Sequence, residues 1–301
     1  MTNGFHLCLN EQAMPETLDD FFAEKHSIIN ELFIATADDN YVLARWCFDQ
    51  HLNVDFYWLA VHALEKYLKA ILLLNGESAK SYSHDIVKLY ASVKPLAPEL
   101  FPSVLVKPDD RMPDEYWHIE EVSNFIARLH RDGQADNRYQ LFGYSRQPED
   151  LWKLDQVVFV LRRACRPLEA FELGKAHDGA ANLSNRDILE KYPQRWRINS
   201  RVEDTISGRR GEELRRAALT WNFPFAPADY KQPPVSYTSS AQNPVLVRRL
   251  YDPLEAGPAH FAHNDALWKW VNDNIQLPRL LISEIESERQ KIKAKSSASA
   301  S

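Results

Sequence analysis

The sequence predicts a mainly helical protein, and three observations carry that reading. Residues 55–74, DFYWLAVHALEKYLKAILLL, repeat apolar side chains at helical spacing with no proline. Only nine glycines occur in 301 residues, too few for architectures built on repeated positive-φ turns. Hydrophobic residues make up 45% and charged residues 26%, the balance of a folded chain able to bury a core. We expect an up-and-down helical bundle over residues 20–170, preceded by a segment over 1–19. An irregular, partly helical extension over 171–292 should pack on the bundle, and a disordered tail should occupy 293–301.

Each element has its own signal. Residues 16–50 read as two helical stretches, with Asp38 or Asp39 as the N-cap of the second. The stretch from Asp55 to Leu74 places Leu59, Ala63 and Tyr67 in one row, with Leu64, Leu68, Ile71 and Leu72 beside them. Asn75-Gly76 supplies the left-handed residue that commonly ends a helix. Ser83, as a capping hydroxyl, and Asp85, at the positive end of the helix dipole, open a third helix. Pro95, Pro98 and Pro102 close it. Helical spacing returns over 113–131 and again after Pro148, in EDLWKLDQVVFVLRRACRPLEAF. Farther on, the proline- and aromatic-rich stretch WNFPFAPADYKQPPVSYTSSAQNPV excludes regular helix, and a final helix is kinked or interrupted at Pro278.

Composition also excludes function classes. The net charge of −6 repels phosphate, so nucleic-acid contact requires a local basic patch. Cys8, Cys47 and Cys165 are too few and too scattered for a metal motif or a disulfide framework, which fits a reducing compartment. The amino terminus lacks a secretory pattern, and the longest apolar runs fall far short of a membrane span. A cytoplasmic protein with no membrane association is expected. The glycine-rich phosphate loops, HExxH and GxSxG are absent, and we expect no cofactor. His260 and His263, near Asp252 and Asp265, do not by themselves complete a metal site.

The residues ADDNYVLARWCF, WLAVHALEKYLKAILLLNG and SHDIVKLY, in that order, resemble the HEPN family (higher eukaryotes and prokaryotes nucleotide-binding). Arg138-Tyr139 is similar to an Arg-Tyr pair found at this place in many members. The resemblance covers residues 20–170 and implies a HEPN-like bundle that often forms a homodimer and frequently acts on RNA. It also implies a prokaryotic defence, stress or toxin setting and a cognate protein partner. Active members carry Arg-x4-6-His late in the bundle and cleave RNA without metal across a dimer. Here the sequence departs from that pattern: Arg128 and His130 are one residue apart, and no histidine follows Arg131 or Arg138 at the family distance.

Two other pairs have the spacing, Arg45 with His51 and Arg111 with His118. Arg45 and His51 are the candidate catalytic pair of a rearranged endoribonuclease site, where arginine would stabilise phosphate charge and histidine would move a proton. Surface and helix-dipole contacts account for them equally simply. Lys66, Lys69, His84, Asp85, Arg138 and Tyr139 are candidates for holding an RNA or nucleotide ligand, against plain capping for His84 and Asp85. In the stretch 191–216, Arg195, Trp196, Arg197, Arg209 and Arg210 combine guanidinium groups with a ring that could stack a base. A charge-rich surface helix would look the same. A noncatalytic module for protein association is the remaining reading.

Overall fold

The computed structural model describes residues 18–108, 112–170, 183–233, 240–242 and 245–299. The helical reading holds: the described chain is mainly helix, with a single two-stranded antiparallel pairing. Helix α1 (Leu18–Ile29) passes through a π-helical turn (Asn30–Ile34) directly into α2 (Ala35–Asp49). The expected cap at Asp38 or Asp39 is therefore corrected. Both aspartates lie inside the helix, and Asp38 is fully buried among tertiary partners.

A short connection containing His51 (φ 60°) reverses the chain into α3 (Asn53–Leu74), the hub of the bundle. Phe56, Tyr57, Ala60, Ala63, Leu64, Tyr67, Leu68, Ala70 and Ile71 are wholly buried there. Gly76 at φ 83° closes α3 as its sequence suggests. Helix α4 (Ile86–Val93) follows, capped by Asp85 rather than Ser83: the Asp85 carboxylate accepts from the amides of Val87 and Lys88 at 3.1 and 3.0 Å.

The helix expected over 113–131 starts only at Val122. Before it, Val104 and Glu121 form an antiparallel bridge, and Leu105 N donates to Glu120 O at 3.0 Å. That long-range pairing claims the backbone groups a longer helix would need. Helix α5 (Val122–Asp132) ends at Gly133, where α5 touches α3 so closely that an added Cβ would lie 2.4 Å from the Tyr57 carbonyl oxygen. Strand β1 (Tyr144–Arg146) precedes α6 (Asp150–Ala164), which closes the bundle.

Helices α7 (Asn185–Lys191), α8 (Arg201–Ile206) and α9 (Glu212–Leu219) join the same core through Leu189, Val202 and Ala218. Phe225, from the proline-rich stretch, is buried against Tyr41, Phe159 and Trp196. Strand β2 (Ser240–Gln242) pairs with β1, Ser145 opposite Ala241. Helices α10 (Val245–Glu255), α11 (Phe261–Asn274) and α12 (Arg279–Ser299) enclose a second apolar cluster of Leu250, Trp268, Val271, Leu281 and Ile285, which also takes Leu141. The expected disordered tail is corrected to Ser299: α12 is helical there, and Ser296 Oγ donates to Leu254 O at 2.8 Å. Among the described residues no helix is long and apolar enough to cross a membrane.

Candidate functional site

One stripe of α3 carries Trp58, His62, Glu65 and Lys69 at three- and four-residue steps. Their centre is Glu65, buried to 5% exposure. Lys69 Nζ donates to Glu65 Oε1 at 2.7 Å and to the Ser83 carbonyl at 2.6 Å. His84 places Nδ1 3.0 and 3.1 Å from the two Glu65 oxygens, and His62 Nδ1 lies 3.4 Å from Oε2. Burial pushes the Glu65 carboxyl up, but hydrogen bonds from His62, Lys69 and His84 outweigh it and hold the group at about 2. The carboxylate is thus ionised and fixes three basic groups around itself.

His84 reaches this centre because the chain before α4 turns sharply, with Ser83 at φ 51°. Its ring remains largely exposed, at 79%. Upstream on the stripe, the His62 ring stands edge-on to Trp58 with centroids 4.1 Å apart. Arg138 lies over the other part of this group, its guanidinium carbon 4.3 Å from the Trp58 ring centre. Trp58, which its amphipathic context assigns to the core, is instead half-buried and roofed by Arg138. Tyr139 beside it is 74% exposed.

The structure therefore brings together Lys69, His84 and Arg138, and adds Trp58, His62 and Glu65 as the residues that join them. Lys66 is not among them: it points around the helix to Asn40 Oδ1 at 2.6 Å. Asp85 serves as the α4 cap, and its carboxyl is held low chiefly by the Lys88 backbone amide. The spacing of Trp58, His62, Glu65 and Lys69 was the available sequence signal for the stripe. Nothing local announced that His84 would close on it.

Arg45 and His51 do not converge. Arg45 is 2% exposed, ion-paired to Asp155, and donates to the carbonyls of Ala217 at 2.8 Å and of Thr220. Its guanidinium ties α2 to α6 and α9, away from any surface phosphate. His51 is exposed and accepts at Nδ1 from Arg146 at 2.7 Å. Arg111 lies outside the described residues.

Several charges of the 191–216 stretch are paired with carboxylates at the surface. Arg210 pairs with Asp39 at 2.6 Å, Arg201 also pairs with Asp39, and Arg209 meets Asp204 at 2.7 Å. Trp196 packs edge-on to buried Phe225 at 5.0 Å, with the exposed Arg197 guanidinium 5.5 Å from its ring. Arg195 is exposed, and its carbonyl accepts from Arg163 at 2.8 Å. Trp196 is thus half-buried, with one edge against the core and Arg197 beside the ring. Asp265, once a possible metal ligand, is taken by Arg289 and Lys293 at 2.7 and 2.6 Å.

Comparison of the chain with family models, with curated proteins and with solved structures finds no match.

Proposed function

We propose that this chain is a HEPN-like bundle that binds a phosphate-bearing ligand, RNA or a nucleotide, on the α3 face centred on Glu65. The single observation behind it is the buried Glu65 carboxylate, which gathers His62, Lys69 and His84 on one accessible side. Two of the three Lys69 ammonium hydrogens are engaged, which leaves one for a phosphate oxygen. Arg138 adds a guanidinium suited to bidentate phosphate contact, next to an indole.

A second reading is metal-independent RNA cleavage at this face instead of at Arg45 and His51. It rests on the two imidazoles, whose rings are 6.4 Å apart on a shared carboxylate. With Nδ1 committed to Glu65, each Nε2 is free for proton transfer. One imidazole would take the proton of a 2′-hydroxyl as O2′ bonds to phosphorus. The other, protonated, would give its proton to O5′ as the P–O5′ bond breaks, leaving a 2′,3′-cyclic phosphate and a 5′-hydroxyl.

Fluorescent single-stranded RNA and a nucleoside triphosphate, titrated at low salt, test both readings. Binding should weaken with salt and fall at least about tenfold in His84→Ala and Lys69→Ala. Absence of any affinity at low salt would leave the protein-association reading. Cleavage that persists in EDTA and is lost in His62→Ala supports the second reading, and intact RNA excludes it. Sedimentation of the same samples reports whether two copies pair.

A further inference from the structure

The loop that carries Arg138 joins two parts of the molecule. At its start Gly133 fits against the Tyr57 carbonyl of α3. At its end the Tyr57 hydroxyl donates to Ser145 O at 3.0 Å, and Asn53 Nδ2 donates to the Tyr144 hydroxyl at 3.2 Å. Between these anchors Asn137, 2% exposed, staples the loop across its width. Its Nδ2 donates to the carbonyls of Asp132 and Gly143, each at 2.8 Å, and its Oδ1 accepts from the Phe142 amide at 3.1 Å. With both amide hydrogens and the oxygen engaged, this side chain fixes the backbone on either side of Arg138.

Three residues beyond Arg138, Leu141 is 9% exposed and belongs to the second apolar cluster, whose other buried members lie on α10–α12 and the connection between α11 and α12. Phe142 packs on the same cluster, and β1, which follows, pairs with β2. Gln140, at φ 55°, turns the chain between the two, and its amide donates to Asn137 O at 2.8 Å. One short turn therefore presents Arg138 to Trp58 and Leu141 to the C-terminal helices. Arg138 is itself exposed, and its Nε donates to Ala135 O at 3.1 Å within the same turn, so the guanidinium goes where the turn goes.

We propose that α10–α12 serve the Glu65 face by holding this turn, with Asn137 and Leu141 as positioning residues for Arg138. The inference rests on the reading of that face as a phosphate site. A guanidinium held in place before the ligand arrives loses little freedom on binding, whereas a released turn would first have to be ordered. Ligand affinity therefore depends on packing at Leu141. By reciprocity, a ligand that needs the held turn tightens that packing in return.

Fluorescent single-stranded RNA and a fluorescent nucleoside triphosphate, titrated into the full chain carrying Arg138→Ala, Leu141→Ala or both, test it. Each single substitution should weaken binding about fivefold, and the double should be no weaker than Arg138→Ala alone, because Leu141 acts through Arg138. Leu141→Met, which keeps the apolar volume, should keep the affinity. Hydrogen exchange of the unaltered protein is a second readout that stands even if Leu141→Ala does not fold: the ligand should slow the amides of β1 and α10 as well as those of the loop. Unchanged affinity in Leu141→Ala, an equal further loss in the Arg138→Ala background, or protection confined to α3 and the loop would overturn the proposal. Lys69→Ala separates the two levels. If it lowers affinity while Leu141→Ala does not, the positioning role alone falls; if neither ligand binds, the phosphate reading falls with it.

Discussion

Arg162 Nε donates to Asp38 Oδ1 at 2.9 Å, and Nη2 donates to Oδ2 at 3.1 Å, with both side chains fully buried between α2 and α6. Tyr67 adds its hydroxyl to Asp38 Oδ1 at 2.6 Å, and the amide of Val202 donates to Oδ2 at 2.9 Å. One carboxylate thus fastens α3, α6 and α8 to α2. Removing Asp38 leaves buried Arg162 with Glu203 alone, and leaves Tyr67 and the Val202 amide without their acceptor. Asp38→Ala should cost about 3–5 kcal/mol, and Asp38→Leu with Arg162→Met together should cost less. Urea unfolding checks the order, and a double variant weaker than the single one would refute it.

Arg45 and the Glu65 face should separate cleanly in mutagenesis. Arg45→Ala leaves Asp155 buried without its cation and should lose about 3–5 kcal/mol of stability. Its remaining folded fraction should bind RNA as the unaltered protein does. His84→Ala removes one of the three basic partners of Glu65, so it should cost about 1 kcal/mol of stability, well below the Arg45 loss, and lower affinity. Parallel denaturation and binding curves decide this. A stable Arg45→Ala protein with lost affinity would return Arg45 to the ligand site.

Gly133 is required by proximity. In Gly133→Ala the new methyl would meet the Tyr57 carbonyl at 2.4 Å and Val61 Cγ2 at 2.5 Å. Since a backbone oxygen cannot rotate aside, the helices must part, at a cost of about 1–3 kcal/mol. Thermal denaturation at fixed pH measures it. An unchanged midpoint would mean that α3 and α5 stand farther apart in solution.

Acid should weaken the protein partly through Glu65. Unfolded, this group takes its proton near 4.5; folded, it holds out to about 2. Its contribution is therefore complete above the unfolded value and disappears as pH falls from there toward 2, since the unfolded chain binds the proton first. The amount is at most about 3 kcal/mol. Glu65→Gln should flatten the dependence of the urea midpoint on pH between 5 and about 2. Parallel profiles for the two proteins would remove Glu65 from the acid response.

Helix α3 was legible because its signal is local: a continuous apolar face, no proline and a glycine stop. The late start of α5 was not, because Val104 lies 17 residues before its partner Glu121 and no helical period reports that pairing. Asp38 and Asp39 resembled caps because aspartate commonly caps helices. Arg162 and Arg210, far along the chain, gave them other partners. Of the candidate site, Lys69, His84 and Arg138 are legible in the sequence, whereas nothing local marks Glu65, which unites two of them, as buried.

Taken alone, the sequence determined that this protein is mainly helical, where α3 runs and ends, and that any phosphate contact must be local on an acidic chain. Tertiary structure decided which charged residues are interior struts and which face outward. Arg45 and Arg162 went inside; Lys69 and His84 met at Glu65. The reason is physical: periodicity records a residue's position on its own helix, whereas a charge becomes buried, paired or available only through partners brought from distant parts of the chain.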